Sequence, residues 1–341
     1  MFDDGPACGK SNSTLLQRKH LNAAHPTRRT ACLGLLFMGG SAGFARYFGG
    51  LQARETEAAN SIEIADGVFV HQGQIADQAP ENHGDISNAG FVIGTDAVAV
   101  IDTGGSYLAG AALRAAVAER TKNPIKYVIN THMHPDHVLG NAAFKADAAA
   151  FVAHHKMPRA LTARSERYLR VASEMLGAEA FAGTQIVLPD QLVETSSSID
   201  LGGRSLQLSA QNTAHTDNDL IVTDDKTGVA FMGDLIFSGH VPSLDGSIKG
   251  WIETLEKIGN SPAQKIVPGH GPAALSWPEA SMPMLRYLNA VANDVRAIIK
   301  RGGTISEAVD TAAGGEASQW QLFEDFHKRN VSAAFAELEW E

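Results

Sequence analysis

The sequence predicts an α/β layered fold, on three observations. Short, continuously apolar runs end at Asp-, Asn- or Gly-containing turns, as buried strands do. Ala- and Leu-rich stretches with helical spacing fall between them. Hairpin-like alternating segments stand at both ends of the set, which argues against a simple succession of strand–helix units.

In chain order, residues 61–71 alternate apolar and polar side chains around Asp66-Gly67, a hairpin signature. Residues 76–87 are polar, contain Pro80 and Gly84, and read as a loop. Residues 91–94 and 97–101 flank a turn, and the second run ends at Asp102-Thr103-Gly104-Gly105. A helix over 109–120 carries Leu113, Ala116 and Val117 on one side, and 126–130 is the next buried strand. Residues 161–182 read as a helix, with Tyr168 and Met175 among its packing residues. A hairpin spans 200–208 around Gly202-Gly203, and short strands at 220–222 and 229–232 flank Lys226-Thr227-Gly228. Helices follow at 251–258, where Trp251 is a core residue, at 284–301 and at 320–341, with a last short strand at 265–267. No internal repeat of 20–50 residues is present.

The chain has 341 residues, 28 basic and 38 acidic, and a net charge of −10. That charge argues against a broad electrostatic grip on nucleic acid or anionic lipid. Cys8 and Cys32 are the only cysteines, which excludes a disulfide-stapled scaffold and a Cys-based zinc finger. Arg28-Arg29 precede a Gly-rich apolar run, 32–45, that is short for a membrane span. This pattern resembles a twin-arginine export signal; an N-terminal helix or a membrane anchor is the alternative. Export would remove residues 1–59 and both cysteines, leaving 21 basic and 34 acidic side chains, net −13. A Cys-free acidic protein suits the periplasm, with no stable membrane span expected after processing. The expected organisation is a leader and linker at 1–59, a catalytic domain at 60–280, and a helical extension at 281–341 packed on it.

The segment Thr131-His132-Met133-His134-Pro135-Asp136-His137 follows a strand and, containing Pro135, reads as a loop. Four possible ligands in six residues can converge on a small volume, a density that a merely solvated polar loop does not require. Imidazole and carboxylate suit zinc, and also iron or manganese. His215, Asp234 and His270 each follow an apolar run further on, and His240 lies six residues beyond Asp234. Singly, each reads as a surface or turn residue; with the first segment, they have the chemistry and strand-end placement to complete a site.

H-x-H-x-D-H, a lone His, Gly-Asp and Gly-His-Gly, in this order and after Asp102-Thr103-Gly104, resemble the metallo-β-lactamase superfamily. The resemblance covers 62 to about 275. It implies an αββα four-layer sandwich with two zinc ions in a cleft at one sheet edge. It also implies that His132, His134 and His215 hold one metal, that Asp136, His137 and His270 hold the other, and that Asp234 bridges them. Asp234 stands where one subclass of true β-lactamases has Cys, and looks like the hydrolases related to glyoxalase II. The segments 88–94, 214–220, 240–242 and the tail around Phe326-His327 and 335–341 are similar to the SoxH-related quinoprotein relay system zinc metallohydrolases. That group is associated with periplasmic quinoprotein dehydrogenases using pyrroloquinoline quinone.

The expected activity is hydrolysis. Two divalent ions sharing one water would bring its pKa towards neutrality and deliver a bridging hydroxide to an ester, thioester or lactam carbonyl of a small acyl substrate. Asp136 would bind metal and orient that nucleophile. No G-x-S-x-G elbow is present within residues 60–280, in keeping with such chemistry. Asp102 is a candidate partner for the His segment, or equally a turn cap. His154 and His155 read as a surface pair rather than substrate contacts, and His240 as an extra polar group near the metals. Two other readings use the same ligands: an iron-dependent persulfide dioxygenase, or a non-enzymatic accessory protein of a quinoprotein dehydrogenase system with a structural metal.

Overall fold

The structure is a computed structural model and describes residues 57–341. The leader read around Arg28-Arg29 and both cysteines lie outside the described residues. Among these residues, no helix is long and apolar enough to cross a membrane.

Thirteen strands form two mixed sheets. The first holds β1 (Ser61–Ala65), β2 (Val68–His71), β3 (Ala89–Ile93), β4 (Val98–Ile101), β5 (Ile125–Ile129), β6 (Ala150–His154) and β7 (Gln191–Val193), side by side in that order. β1 to β4 are an antiparallel meander; β4 to β7 run parallel. The second holds β8 (Ser196–Asp200), β9 (Ser205–Ala210), β10 (Leu220–Asp224), β11 (Ala230–Phe237), β12 (Lys265–His270) and β13 (Leu275–Ser276), again in chain order across the sheet. Only β11 and β12 are parallel there.

β4 shows why its sequence is apolar without a break. Ala99 and Ile101 enter the core between the sheets, with Val70, Val92, Leu206, Leu208, Val222 and Phe231. Val98 and Val100 face the other way, against helix α1 (Tyr107–Arg120) through Leu113, Ala116 and Val117. Both faces of the strand are therefore buried. β9 is covered differently: Leu206 and Leu208 point inward, whereas Gln207 and Ser209 are exposed. Ser106 caps α1 by accepting from the Ala109 amide at 3.1 Å.

Helices α4 (Ile248–Ile258), α5 (Met282–Lys300) and α7 (Phe323–Leu338) cover the outer face of the second sheet. Trp251, Leu255, Tyr287, Val291, Val331 and Phe335 share one core there with Ala230, Met232 and Ile236. The result is the αββα sandwich.

Several elements differ from the sequence reading. Helix α3 (Met157–Phe181) starts earlier than expected, with Pro158 in its first turn, where the missing amide breaks no hydrogen bond. Gly177, at φ +72°, interrupts it, and Met175 is exposed rather than packed. β6, β7 and the short helix α6 (Ile305–Thr311) were not singled out, and the terminal helix is shorter than 320–341.

Candidate metal centre

All seven predicted ligands converge at one edge of the sandwich. β5 delivers His132 and His134. The next residues are not a loop as expected: Pro135 opens a one-turn helix, α2 (Pro135–Val138), which carries Asp136 and His137. A proline whose absent N–H needs no partner is well placed at a first helical position. His215 lies between β9 and β10, and His270 ends β12. Asp234 sits inside β11, where the pairing with β12 slips register around Gly233, at φ +52°. Such a slip turns a strand side chain away from its regular direction.

Two clusters result. In the first, His134 Nδ1 lies 3.1 Å from His132 Nε2 and 2.9 Å from His215 Nε2. Asp234 Oδ2 stands 3.6 Å from His132 Nε2 and 3.4 Å from His215 Nε2. In the second, Asp136 Oδ2 is 3.6 Å from His137 Nε2 and 3.2 Å from His270 Nε2. Asp234 Oδ1 completes it, 3.1 Å from His137 Nε2 and 3.4 Å from His270 Nε2. One carboxylate thus gives an oxygen to each cluster.

These spacings fit metal binding. Tetrahedral zinc with bonds of about 2.0–2.1 Å sets its ligand atoms roughly 3.3 Å apart. His137 Nε2 and Asp234 Oδ1 are buried, yet neither makes a hydrogen bond despite their closeness. Buried polar atoms without partners are rare, and here both face a common point that a cation would satisfy. Gly269 makes room for Asp234: a Cβ at residue 269 would fall 1.9 Å from Asp234 Oδ1.

The ring nitrogens turned away from the clusters are also bonded, which fixes each tautomer. His137 Nδ1 donates to Asp102 Oδ2 at 2.8 Å. Asp102 also accepts from the Thr131 amide at 2.8 Å and from its hydroxyl at 2.7 Å, and the hydroxyl oxygen meets His132 Nδ1 at 3.1 Å. His215 Nδ1 donates to the Ser243 carbonyl at 2.7 Å, and His270 Nδ1 to that of Ile86 at 2.9 Å. His134 Nε2 donates to Asp245 at 3.1 Å.

Burial pushes the His215 imidazole down to about 3 and His132 well below its ordinary value, so both present lone pairs. Burial acts the same way on His270 and His137, but the Asp234 and Asp136 carboxylates override it and hold both above the usual value, His270 at about 9. Burial disfavours the Asp136 anion; the His137 and His270 rings outweigh it and bring it to about 2.

The remaining candidates fall outside the clusters. His154 is buried, not half of a surface pair: its ring stacks on His155 with centroids 4.5 Å apart, and burial lowers it to about 4. The doubly buried parallel strand β6 carries it inward. His240 packs edge-on against His270 at 4.7 Å and donates from Nδ1 to the Val241 carbonyl at 2.8 Å. Trp251 is fully buried, whereas Tyr168 is half-buried beside Met133 and Leu161. Asp245 and the Ser243 and Ile86 carbonyls escaped sequence reasoning; two are backbone atoms with no residue signature, and Asp245 lies 111 residues from its partner.

A family model described as the metallo-beta-lactamase superfamily matches residues 83–270, more than half of the chain. Among solved structures, a metallo-beta-lactamase from Pontibacter korlensis superposes with a TM-score of 0.55 at 19% identity, covering 67% of this chain and 98% of that one. A metallo-beta-lactamase from Hirschia baltica gives 0.50 at 18% identity, over 64% and 93%. A double mutant of the sec-alkyl sulfatase PisA1 gives 0.61 at 17% identity, over 81% of this chain and 50% of that one. No curated protein matches the chain.

Proposed function

The chain belongs to the metallo-β-lactamase superfamily, and from that premise we propose that it is a dinuclear zinc hydrolase of small acyl compounds. The observation that carries this reading is the split of Asp234, whose two oxygens complete two separate ligand clusters. A closed structural zinc site needs only one set of four ligands.

Bound zinc supplies Lewis acidity and a water whose pKa falls towards neutrality. The chain's own residues supply position and charge. Asp234 ties the clusters together and keeps their spacing. Asp136 stays ionised across the neutral range; its Oδ2 belongs to the second cluster, and its Oδ1 has no hydrogen-bond partner among the described residues. That oxygen would accept a hydrogen bond from the attacking water and align it with an ester, thioester or lactam carbonyl. The Thr131, Ser243, Ile86, Asp102 and Asp245 contacts hold the imidazoles against rotation, so the ligands are arranged before metal arrives.

Export to the periplasm and a role beside a quinoprotein dehydrogenase system extend the proposal. They rest on Arg28-Arg29 with the following apolar run, and on the resemblance of 88–94, 214–220 and the C-terminal tail. Because a sec-alkyl sulfatase shares the fold over most of this chain, a sulfate ester belongs in the substrate screen.

The test is elemental analysis of protein purified without added metal, followed by hydrolysis assays on wild type and Asp136→Asn. Two zinc ions per chain, with activity lost and metal largely retained in Asp136→Asn, support the proposal. Retained activity in that variant overturns the role of Asp136. About one iron per chain, with oxygen uptake on a persulfide, overturns the hydrolase reading.

A further inference from the structure

We infer that the C-terminal helix α7 governs metal affinity at the first cluster through Asn330, the positioning residue. This rests on the metal-binding reading above and names a regulator of that same site. Asn330 lies outside the span of the family model and contacts no ligand.

Asn330 is buried, and both its amide hydrogens and its amide oxygen are engaged. Its Oδ1 accepts from the Leu244 amide at 2.9 Å; its Nδ2 donates to the Pro242 carbonyl at 2.6 Å and to the Tyr287 hydroxyl at 3.0 Å. The direction of this network is fixed from its far end. His327 Nε2 must donate to the Ala312 carbonyl, at 2.9 Å, so its Nδ1 accepts from the Tyr287 hydroxyl at 3.0 Å. The tyrosine oxygen is then free to accept from Asn330.

Two of the three groups that Asn330 grips, on Pro242 and Leu244, bracket Ser243, whose carbonyl orients His215. Two residues beyond Ser243, Asp245 orients His134 and donates its amide to the His215 carbonyl at 3.1 Å. Glu337, two turns further along the same face of α7, fixes the other end of the segment by accepting from the Ser247 hydroxyl at 2.6 Å and the Ile248 amide at 2.7 Å. Two of the three imidazoles of the first cluster therefore take their outer hydrogen bonds from a segment that α7 holds at both ends. The outer hydrogen bonds of the second cluster have no such dependence: His137 bonds Asp102 and His270 bonds Ile86, both in the N-terminal half, and α7 approaches that cluster only by packing, Phe326 on His240 beside His270. Outer partners of metal-bound histidines typically tune affinity 10- to 100-fold.

The experiment is a stepwise zinc titration of the metal-free full-length protein against a competing chelator. Histidine ring NMR assigns each equivalent, because His134 is the one ligand that presents Nδ1 to the centre. Asn330→Ala should weaken the equivalent that shifts His134 by about 10- to 100-fold and leave the other within about threefold. Tyr287→Phe removes two bonds of the same buried network but keeps Asn330 on Pro242 and Leu244. It should lower thermal stability comparably and leave both affinities unchanged, which a merely structural role for Asn330 does not predict. Equal weakening of both equivalents in Asn330→Ala, or of neither, overturns the inference. Should Asn330→Ala not fold, Glu337→Ala decides: a several-fold loss confined to the first cluster supports the inference, and unchanged affinity overturns it. A wild-type protein that binds no zinc brings down the proposed function and this inference together; a wild type with two zinc ions and an indifferent Asn330→Ala brings down only this one.

Discussion

Asp102→Asn is the substitution that best probes how the centre is held. Asp102 is buried and accepts three hydrogen bonds, one at Oδ1 from the Thr131 amide and two at Oδ2 from the Thr131 hydroxyl and His137 Nδ1. Its backbone is left-handed, φ +56°, a conformation Asn tolerates as well as Asp, so the exchange acts through the side chain. The least disruptive orientation keeps the amide oxygen at the Oδ2 position and turns the NH2 towards the Thr131 N–H. The Thr131 N–H is then orphaned and faces the new NH2, itself without an acceptor; the Thr131 donor alone costs about 1–3 kcal/mol. The two surviving bonds change from charge-assisted to neutral, each weaker by about 1 kcal/mol. The metal-free protein should therefore lose at least about 3–5 kcal/mol, read from urea unfolding. Since Asp102 supports His137 directly and His132 through Thr131, zinc affinity should fall about 10- to 100-fold at both clusters, read by chelator competition. A variant within about 1 kcal/mol of wild type, binding both metals normally, would refute the account.

Two further outcomes follow from single contacts. Gly269→Ala should abolish binding of at least one zinc, because its Cβ would overlap Asp234 Oδ1 at 1.9 Å; metal content after dialysis checks it. His71 bonds Asp85 at 2.8 Å; burial pulls the imidazole down, but the carboxylate overrides it and leaves the ring above its ordinary value. A histidine raised on folding stabilises fully below its unfolded pKa of about 6.5, and that contribution fades as pH rises through the folded value. The stability gap between wild type and His71→Gln should therefore be largest near pH 6 and shrink towards pH 9 in denaturation series. A gap that grows with pH would falsify the pairing.

The ligands are legible because six of them lie at or near a strand end in short local motifs, His132 to His137 after β5, His215 before β10 and His270 closing β12, while Asp234, inside β11, shows through its pairing with Gly233. Continuous apolar runs such as 97–101 revealed strands buried on both faces. What stayed hidden depends on distance or on backbone. The carbonyls of Ser243 and Ile86 carry no side-chain signature, and Asn330 acts across 86 residues of sequence on Leu244. Pro135 misled because proline breaks a helix interior yet suits a first turn, a distinction that needs the helix start to be known. His154 reads as a surface residue from sequence because nothing there marks β6 as a strand buried on both faces.

The seven ligands end at His270, but the centre cannot stand on that much chain. More than half of the apolar residues in the core beneath the second sheet come from beyond residue 281, including Tyr287, Val291, Val295, Trp320, Val331 and Phe335. A chain ending at residue 281 would expose Met232, Ile236, Trp251 and Leu255, which those residues cover. Each large side chain returned to water forfeits about 1.5–3 kcal/mol. Four or more such losses rival the whole stability of an ordinary domain, about 5–15 kcal/mol. The truncated chain should therefore lack a cooperative unfolding transition and bind zinc no better than free histidine-containing peptide, despite retaining every ligand. Near-ultraviolet circular dichroism and zinc titration measure both. A truncated chain that unfolds cooperatively and still binds two zinc ions would show that the ligand-bearing sheets form a self-sufficient unit and that the helices beyond them are an accessory.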